Sequence, residues 1–431
     1  MKKLVALLLA MVTLMTIGMP AMAEEPVEIR YLFGLGGNLG DLFLRLIDEY
    51  NASQDKVHVT PYQVASYGTA EETYQAALAA GDQIEVWHAT TDTKRHFFDY
   101  VEPLNDRYAN DESFNASDIL EGALACCYGP DDETIMAVPL WCTIQLMYYR
   151  KDAFEGYDIE ETFKNWQNLA KACAEIVEAD NGYTFGWEPM AGSGNLIDIM
   201  MCTGTTYNGY YTDSTMRKVN FLSDEWIDVA TSFQKWLHED KIMTTHWGGT
   251  GWEYWYATID DVMEGRAAGY TGSAGDQGDL DFSIIGAHPQ PGWNDYPTHV
   301  HAGTHLLYMG KNMSDEKKDA AWDFMKFLSS GYAQGQISMC GGYSVTRKSA
   351  ADDPEYAAFL EKNPQMVQVI NSIGVAQQTY EDITGGYVET AVQDLSERLE
   401  LEGCDPIEAL TICQEEAQAA LDEYWAEVDA E

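Results

Sequence analysis

From Val27 to Phe33 the chain reads VEIRYLF, a β-rich and partly alternating run that breaks into the turn Gly34-Leu35-Gly36-Gly37-Asn38-Leu39-Gly40. Leu42, Leu46 and Tyr50 then recur at helical spacing, which predicts an amphipathic helix over Asp41–Tyr50. His58–Gln63 reads as a second strand, Glu71–Ala80 as a helix and Ile84–His88 as a third strand. Further strands are expected at Thr134–Val138 and Ile144–Tyr149, either side of Pro139, with helices over Phe163–Ala179 and Asp224–Glu239. Trp247–Tyr256, WGGTGWEYWY, reads as loop, and Asp279–Gly286 and Leu306–Met309 read as strands. From Asp315 the pattern is helical almost to the end, broken at Cys340-Gly341-Gly342, Asp353-Pro354 and Thr384-Gly385-Gly386. Alternation of strands and helices indicates an α/β fold whose sheets are covered on both faces. With no internal repeat and no low-complexity linker, the pattern predicts two α/β lobes that the chain crosses more than once.

The first residues change the picture of where this fold resides. A basic head at Lys2-Lys3 precedes an apolar run, Leu4–Ile17, then Gly18, Pro20 and Ala21-Met22-Ala23 before Glu24-Glu25. That order describes a cleavable secretory signal over residues 1–23, and the run is short for a membrane span. No Cys stands in or just after it to carry a lipid anchor, so the mature chain is expected free in solution, periplasmic or extracellular. Net charge is −45 across 431 residues. Such a chain repels nucleic acid and anionic membrane surfaces, whose affinity needs clustered Lys and Arg. The 26 Tyr and 12 Trp exceed the 14 Phe, and aromatic rings with a polar handle suit a surface that is partly apolar and partly wet. The eight cysteines match no zinc spacing, and their number permits disulfides without requiring them in a core this large.

The candidate chemical motifs fail one by one. A dinucleotide fingerprint begun at Gly34 has Gly36 in place but Leu39 where its last glycine belongs; backbone N–H groups of the turn could still face a ligand. His299, His301 and His305 resemble a metal triad without an acidic ligand nearby, and Asp276, Asp279 and Asp281 lack calcium-loop spacing. Gly192-Ser193-Gly194 has no nucleophile-elbow frame. Seventy carboxylates offer no distinctive glycosidase pair. The expectation is a binding protein with no catalytic residue, no cofactor and no metal.

Ala137–Tyr157, AVPLWCTIQLMYYRKDAFEGY, resembles the most characteristic stretch of the bacterial extracellular solute-binding proteins of the sugar and glycerophosphate type, the receptors of ABC importers. Ala77–Gly81, Phe163-x-x-Trp166, Glu264–Ala268, Ala320–Ser329 and Gly341–Tyr343 with Arg347-Lys348 resemble further blocks of that family in the same order. The resemblance implies a two-lobed periplasmic-binding-protein fold, type II-like, with three hinge crossings near Met136–Pro139, Ala287 and Leu328–Gly331. The lobes it implies are residues 24–138 with 288–328, and 139–287 with 329–431. It implies a monomer that holds a small solute in the interlobe cleft and hands it to a permease, without membrane insertion. By motif position the cleft takes Asn38, Tyr67, Thr90, Asp92, Trp141, Thr143, Trp187, Ser273, Gly303 and Tyr343. Trp252 and Trp255 join them from the aromatic cluster. Trp187, in a glycine-flanked stretch, is the expected stacking platform. Ala274 departs from the family, whose sugar-type members carry Trp shortly after the Gly-Ser pair, so ligand specificity is not inherited. Because no Lys or Arg occurs between Lys362 and Arg398, a neutral sugar or oligosaccharide is expected over a glycerophosphate or glycerophosphodiester, with an exported hydrolase as the remaining alternative.

Overall fold

The first strand, β1 (Val27–Phe33), buries Ile29, Tyr31, Leu32 and Phe33 almost completely. It needs burial on both faces because it pairs in parallel with β2 (Val57–Gln63) on one side and β3 (Val86–Thr90) on the other. The structure, a computed structural model, describes residues 25–91, 97–131, 133–189, 193–205, 209–246, 253–299, 303–375 and 382–430. Between β1 and β2 runs α1 (Gly37–Ser53), which buries Leu42, Phe43, Leu46, Ile47 and Tyr50 along one stripe. Between β2 and β3 runs α2 (Tyr67–Ala80). The Ser66 side chain caps its start by accepting from the Thr69 N–H, and left-handed Gly81 ends it.

Two antiparallel strands complete this first sheet, β4 (Ala137–Thr143) and β8 (Gly303–Met309), in the order β2-β1-β3-β8-β4. Trp87 is sandwiched in its core between Tyr74 and Tyr308. A second sheet has the order β6-β5-β7 and consists of β5 (Gln145–Arg150), β6 (Gly269–Ser273) and β7 (Ile285–Pro289). Around it lie α3 (Trp166–Glu178), α4 (Ser193–Met201), α5 (Asp224–Gln234) and α6 (Glu253–Met263). The C-terminal region is helical: α7 (Asp315–Leu328), α8 (Gly331–Gly341), α9 (Gln365–Val375), α10 (Tyr387–Glu400) and α11 (Pro406–Val428). Asp405 caps α11 and Pro406 occupies its first turn.

Several boundaries differ from the sequence-based expectation. Glu253–Tyr256, expected as loop, opens the helix Glu253–Met263, because Ile259 and Val262 supply a buried stripe; residues 247–252 lie outside the described set. The strand expected at Asp279–Gly286 starts only at Ile285, since Asp281 caps a turn by accepting from the Ser283 N–H. The crossings shift as well. β4 stays in the first sheet through Thr143, so the first passage falls at Ile144 and not at Met136–Pro139. Ala287 is paired with Tyr148 inside β7, so the second passage follows Pro289. Helix α8 packs on α1 and β4, which keeps Leu328–Gly331 within the first lobe. The chain leaves that lobe only beyond Lys362, where α9 touches β7, and α10 and α11 then pack against α4 and α5. The eight cysteines are free thiols, six of them buried. No helix among the described residues is long and apolar enough to cross a membrane.

Candidate functional site

The parallel strands β1, β2 and β3 all end at one edge of the first sheet, and α1 and α2 start there. Register places Thr90 opposite His305, and Thr143 opposite Gly303, at that same edge. In open α/β sheets the carboxyl ends of the strands are where ligands settle, because connecting loops and helix starts converge there. Gly34 makes the loop compact: a Cβ on it would come within 2.0 Å of the Ser66 carbonyl oxygen. The edge of the second sheet that faces this region is formed by Gln145 and Ser273, which are paired in register.

Aromatic rings make the floor. The indole of Trp141 stacks on His305 at 4.4 Å and on Tyr343 at 5.6 Å, and Tyr67 lies 5.1 Å from His305. Beneath them His88 Nε2 and His305 Nδ1 are 3.0 Å apart. Burial lowers both imidazoles, that of His305 to about 3, so neither carries charge at neutral pH. Tyr343 is delivered by the left-handed turn at Gly342 that ends α8. A Cβ at Gly342 would lie 2.9 Å from the Ala274 oxygen, so this turn sits directly against the second lobe.

Polar groups join the lobes. Thr143 Oγ1 and Ser273 Oγ are 3.0 Å apart, one on β4 and one on β6. Gln277 donates to the Gly342 carbonyl at 3.4 Å. Beside Ser273, Asp276 accepts from the Trp255 indole at 2.9 Å and from the Tyr270 hydroxyl at 3.0 Å. Burial pushes its carboxyl up to about 7 against the pull of those two donors. Burial, then Asp276, raises the Tyr343 phenol; burial, then Tyr343, raises that of Tyr67. The row Tyr67–Tyr343–Asp276 therefore runs electrostatically from one lobe to the other.

Of the residues expected from sequence, Tyr67, Thr90, Trp141, Thr143, Ser273, Gly303 and Tyr343 meet along this junction, and Trp255 reaches it through Asp276. Asn38 is exposed in the first turn of α1, on the same sheet edge. Asp92 and Trp252 lie outside the described residues, as does His301. Trp187 is the correction: it is fully buried inside the second lobe. Its ring covers Gly269, where a Cβ would fall 2.2 Å from the indole, and its Nε1 donates to Thr271 Oγ1 at 3.1 Å. The glycine that makes room for the ring is Gly269 of β6, not the flanking Gly186, where an added Cβ would meet Cys173. Reading the sequence missed His88 and Asp276 as parts of the site. Asp276, three residues beyond Ser273, could have been found as an acid directly after a strand end.

Two α/β lobes that meet at an aromatic floor with facing hydroxyls are the architecture of a two-lobed receptor for a small solute. Residues 45–367 match the family described as bacterial extracellular solute-binding protein, and the chain belongs to that family, the solute receptors of ABC importers. It is 24% identical over 373 residues to the sn-glycerol-3-phosphate-binding periplasmic protein UgpB of Rhizobium meliloti (strain 1021), covering 83% of this chain and 84% of the relative. The protein of the same description from Brucella melitensis is 25% identical over 366 residues, 81% of each chain. Among solved structures, the sugar-binding protein MalE of Xanthomonas citri superposes with a TM-score of 0.79 at 15% identity, over 94% of this chain and 100% of that one. UgpB of Mycobacterium tuberculosis in complex with glycerophosphocholine gives 0.73 at 18% identity, over 92% and 98%. These likenesses establish the two-lobed fold, and the family is one of binding receptors.

Proposed function

We propose that the protein captures a neutral sugar or oligosaccharide between its lobes and delivers it to the permease of an ABC importer, as an exported monomer. The observation that carries the choice of ligand is the placement of positive charge. Each described arginine pairs with a carboxylate: Arg30 with Asp82, Arg45 with Glu49, Arg107 with Asp319, Arg150 with Asp152, Arg217 with Asp429, Arg266 with Asp261, Arg347 with Asp118 and Arg398 with Glu416. Arg347 also donates to the carbonyls of Phe114 and Asn115, which ties it inside the first lobe and away from the junction. The strand-end edge offers indole and phenol rings, hydroxyls and a carboxyl, groups that match the C–H faces and paired hydroxyls of a saccharide. Among the described residues a phosphate there would meet no unpaired guanidinium, and it would enter a field set by a net charge of −45.

The names of the sequence relatives favour a second reading, a glycerol-3-phosphate or glycerophosphodiester receptor. Lys94 and Arg95 lie outside the described residues. Titration calorimetry separates the two. The expected result is heat on adding neutral mono- to oligosaccharides and none with sn-glycerol-3-phosphate or glycerophosphocholine. Tight glycerophosphate binding without response to any sugar would overturn the proposal.

Closure is tested alongside. A ligand that touches both lobes stabilises only the closed form, so cognate solute should lower the radius of gyration in solution scattering. At a ligand concentration one hundred times the dissociation constant, the gain in stability should be about 2.7 kcal/mol. Tight binding with no compaction would rule out lobe closure. Tyr343→Ala should weaken ligand binding by about 1–2 kcal/mol, the scale of one stacked ring and its buried area. The half-buried ring sits at the end of a turn, so the fold should survive; unchanged affinity would place the ligand elsewhere.

A further inference from the structure

Away from the junction, the second lobe holds a fully buried acid. Glu188 follows Trp187 on a segment zipped to β6: its N–H donates to the Gly269 carbonyl at 2.9 Å and its carbonyl accepts from the Thr271 N–H at 3.0 Å. This pairing turns the side chain inward, where it is completely buried and both carboxylate oxygens lack a hydrogen-bond partner. Buried polar atoms are nearly always satisfied, so an orphaned carboxylate points to a missing positive group.

Two further ligand atoms face it. His246 Nε2 is 3.7 Å from Glu188 Oε2 and 2.9 Å from Asp261 Oδ2. The three donor atoms all lie within 4.8 Å of one another. Zinc with bonds of about 2.0–2.2 Å in tetrahedral geometry sets neighbouring ligand atoms about 3.3–3.5 Å apart, and the separations of 2.9 and 3.7 Å bracket that value. Asp261 divides its oxygens: Oδ1 accepts from the Arg266 guanidinium, and Oδ2 turns toward His246. The scaffold is rigid. Asp261 stands on α6, Met243 is bridged to Trp187, and the Thr244 N–H donates to the Trp187 carbonyl at 3.2 Å. His246 remains 37% exposed and gives an ion a path from solvent.

We propose that Glu188, His246 and Asp261 form a binding site for a divalent transition-metal ion of the zinc class, with water completing its coordination. One imidazole and two carboxylates suit zinc, whereas calcium takes six to eight oxygen ligands. The ion clasps the Trp187–Glu188 segment, the connection through Met243 and helix α6 around β6, whose end at Ser273 forms the second-lobe side of the junction. Its competitor is a proton, because carboxylate and imidazole ligands must be deprotonated to bind the ion. The sequence reading expected no metal, since these ligands are spaced 58 and 15 residues apart along the chain and only folding unites them.

The test uses full-length mature protein stripped with chelator and titrated with zinc chloride, read by elemental analysis and thermal melting. One equivalent of tightly bound zinc and a raised melting temperature are expected. Glu188→Gln, which is isosteric with the protonated acid, and His246→Ala should each weaken that zinc by at least about tenfold while keeping the melting temperature of the stripped protein. Zinc bound by free cysteines would persist in both variants, so undiminished binding in both overturns the proposal. Absence of bound zinc overturns it too. So does an equal shift with calcium chloride at the same concentration, which screening of the net charge of −45 would explain.

Discussion

Replacing Trp187 with alanine is expected to lower folding stability by about 3–5 kcal/mol, the usual cost of emptying a buried indole site. The ring is wholly enclosed, with Phe163 at 5.6 Å and Phe154 at 6.5 Å between ring centres, and it lies flat over Gly269. Truncation also leaves Thr271 Oγ1 without its indole donor in the buried middle of β6. Because β6 ends at Ser273, the loss should loosen the second-lobe side of the junction as well. Urea unfolding followed by circular dichroism, with calorimetric titration of the folded fraction, separates the two effects. The expected pattern is a large drop in stability with near-normal affinity in what remains folded. Unchanged stability with lost affinity would return Trp187 to the ligand and displace the site described here.

The second large effect is a loss of stability on raising the pH. Asp276 is held in the folded protein up to about 7, against an ordinary value of 3.8, chiefly by burial. Glu400 is held up to about 8, against 4.5, by burial, with only Ser396 donating to it. A raised carboxyl pKa means the native state keeps a proton that the unfolded chain has already released. Stability from that proton is complete below the unfolded pKa and is lost as pH rises through the folded one. For Asp276 the window runs from about pH 4 to about pH 7, and for Glu400 from about pH 4.5 to about pH 8. Each shift spans about three pH units, so the most either can contribute is about 4 kcal/mol. Asp276→Asn and Glu400→Gln should each flatten the decline in urea midpoint between about pH 5 and pH 8. A variant whose midpoint falls as steeply as that of the wild type would show that its carboxyl is already ionised.

Residues near the junction show how far sequence carries a site. Thr143 and Ser273 were reached through the family resemblance; only the fold shows that both stand at strand ends, Thr143 closing β4 and Ser273 closing β6. Tyr343 came from the same resemblance, and the structure supplies the reason for its placement: left-handed Gly342 ends α8 just before it. Trp187 was not legible, because a ring near glycines can be exposed or can be packed on one of them. The glycine it covers, Gly269, stands 82 positions away. His88 was hidden for the opposite reason. It lies inside an apolar strand, and only the approach of His305 from antiparallel β8 makes it part of the floor.

Local pattern determined the class of the molecule. Periodicity marked β1, α1 and α2, turn residues at Gly81, Pro354 and Gly386 ended or opened helices, and composition set a strongly acidic surface without arginine-rich patches. Such properties depend on neighbours within a few positions, where side-chain spacing and backbone sterics act directly. Tertiary structure alone decided the remainder. Pairing β4 with β8 moved the first passage to Ile144, and packing of α8 on α1 and β4 kept that helix in the first lobe. The same long-range packing put Trp187 in a core and drew Glu188, His246 and Asp261 together. Which carboxyl keeps its proton and which tryptophan meets solvent depends on what comes to lie above it, and distant segments supply that cover only when the chain has folded.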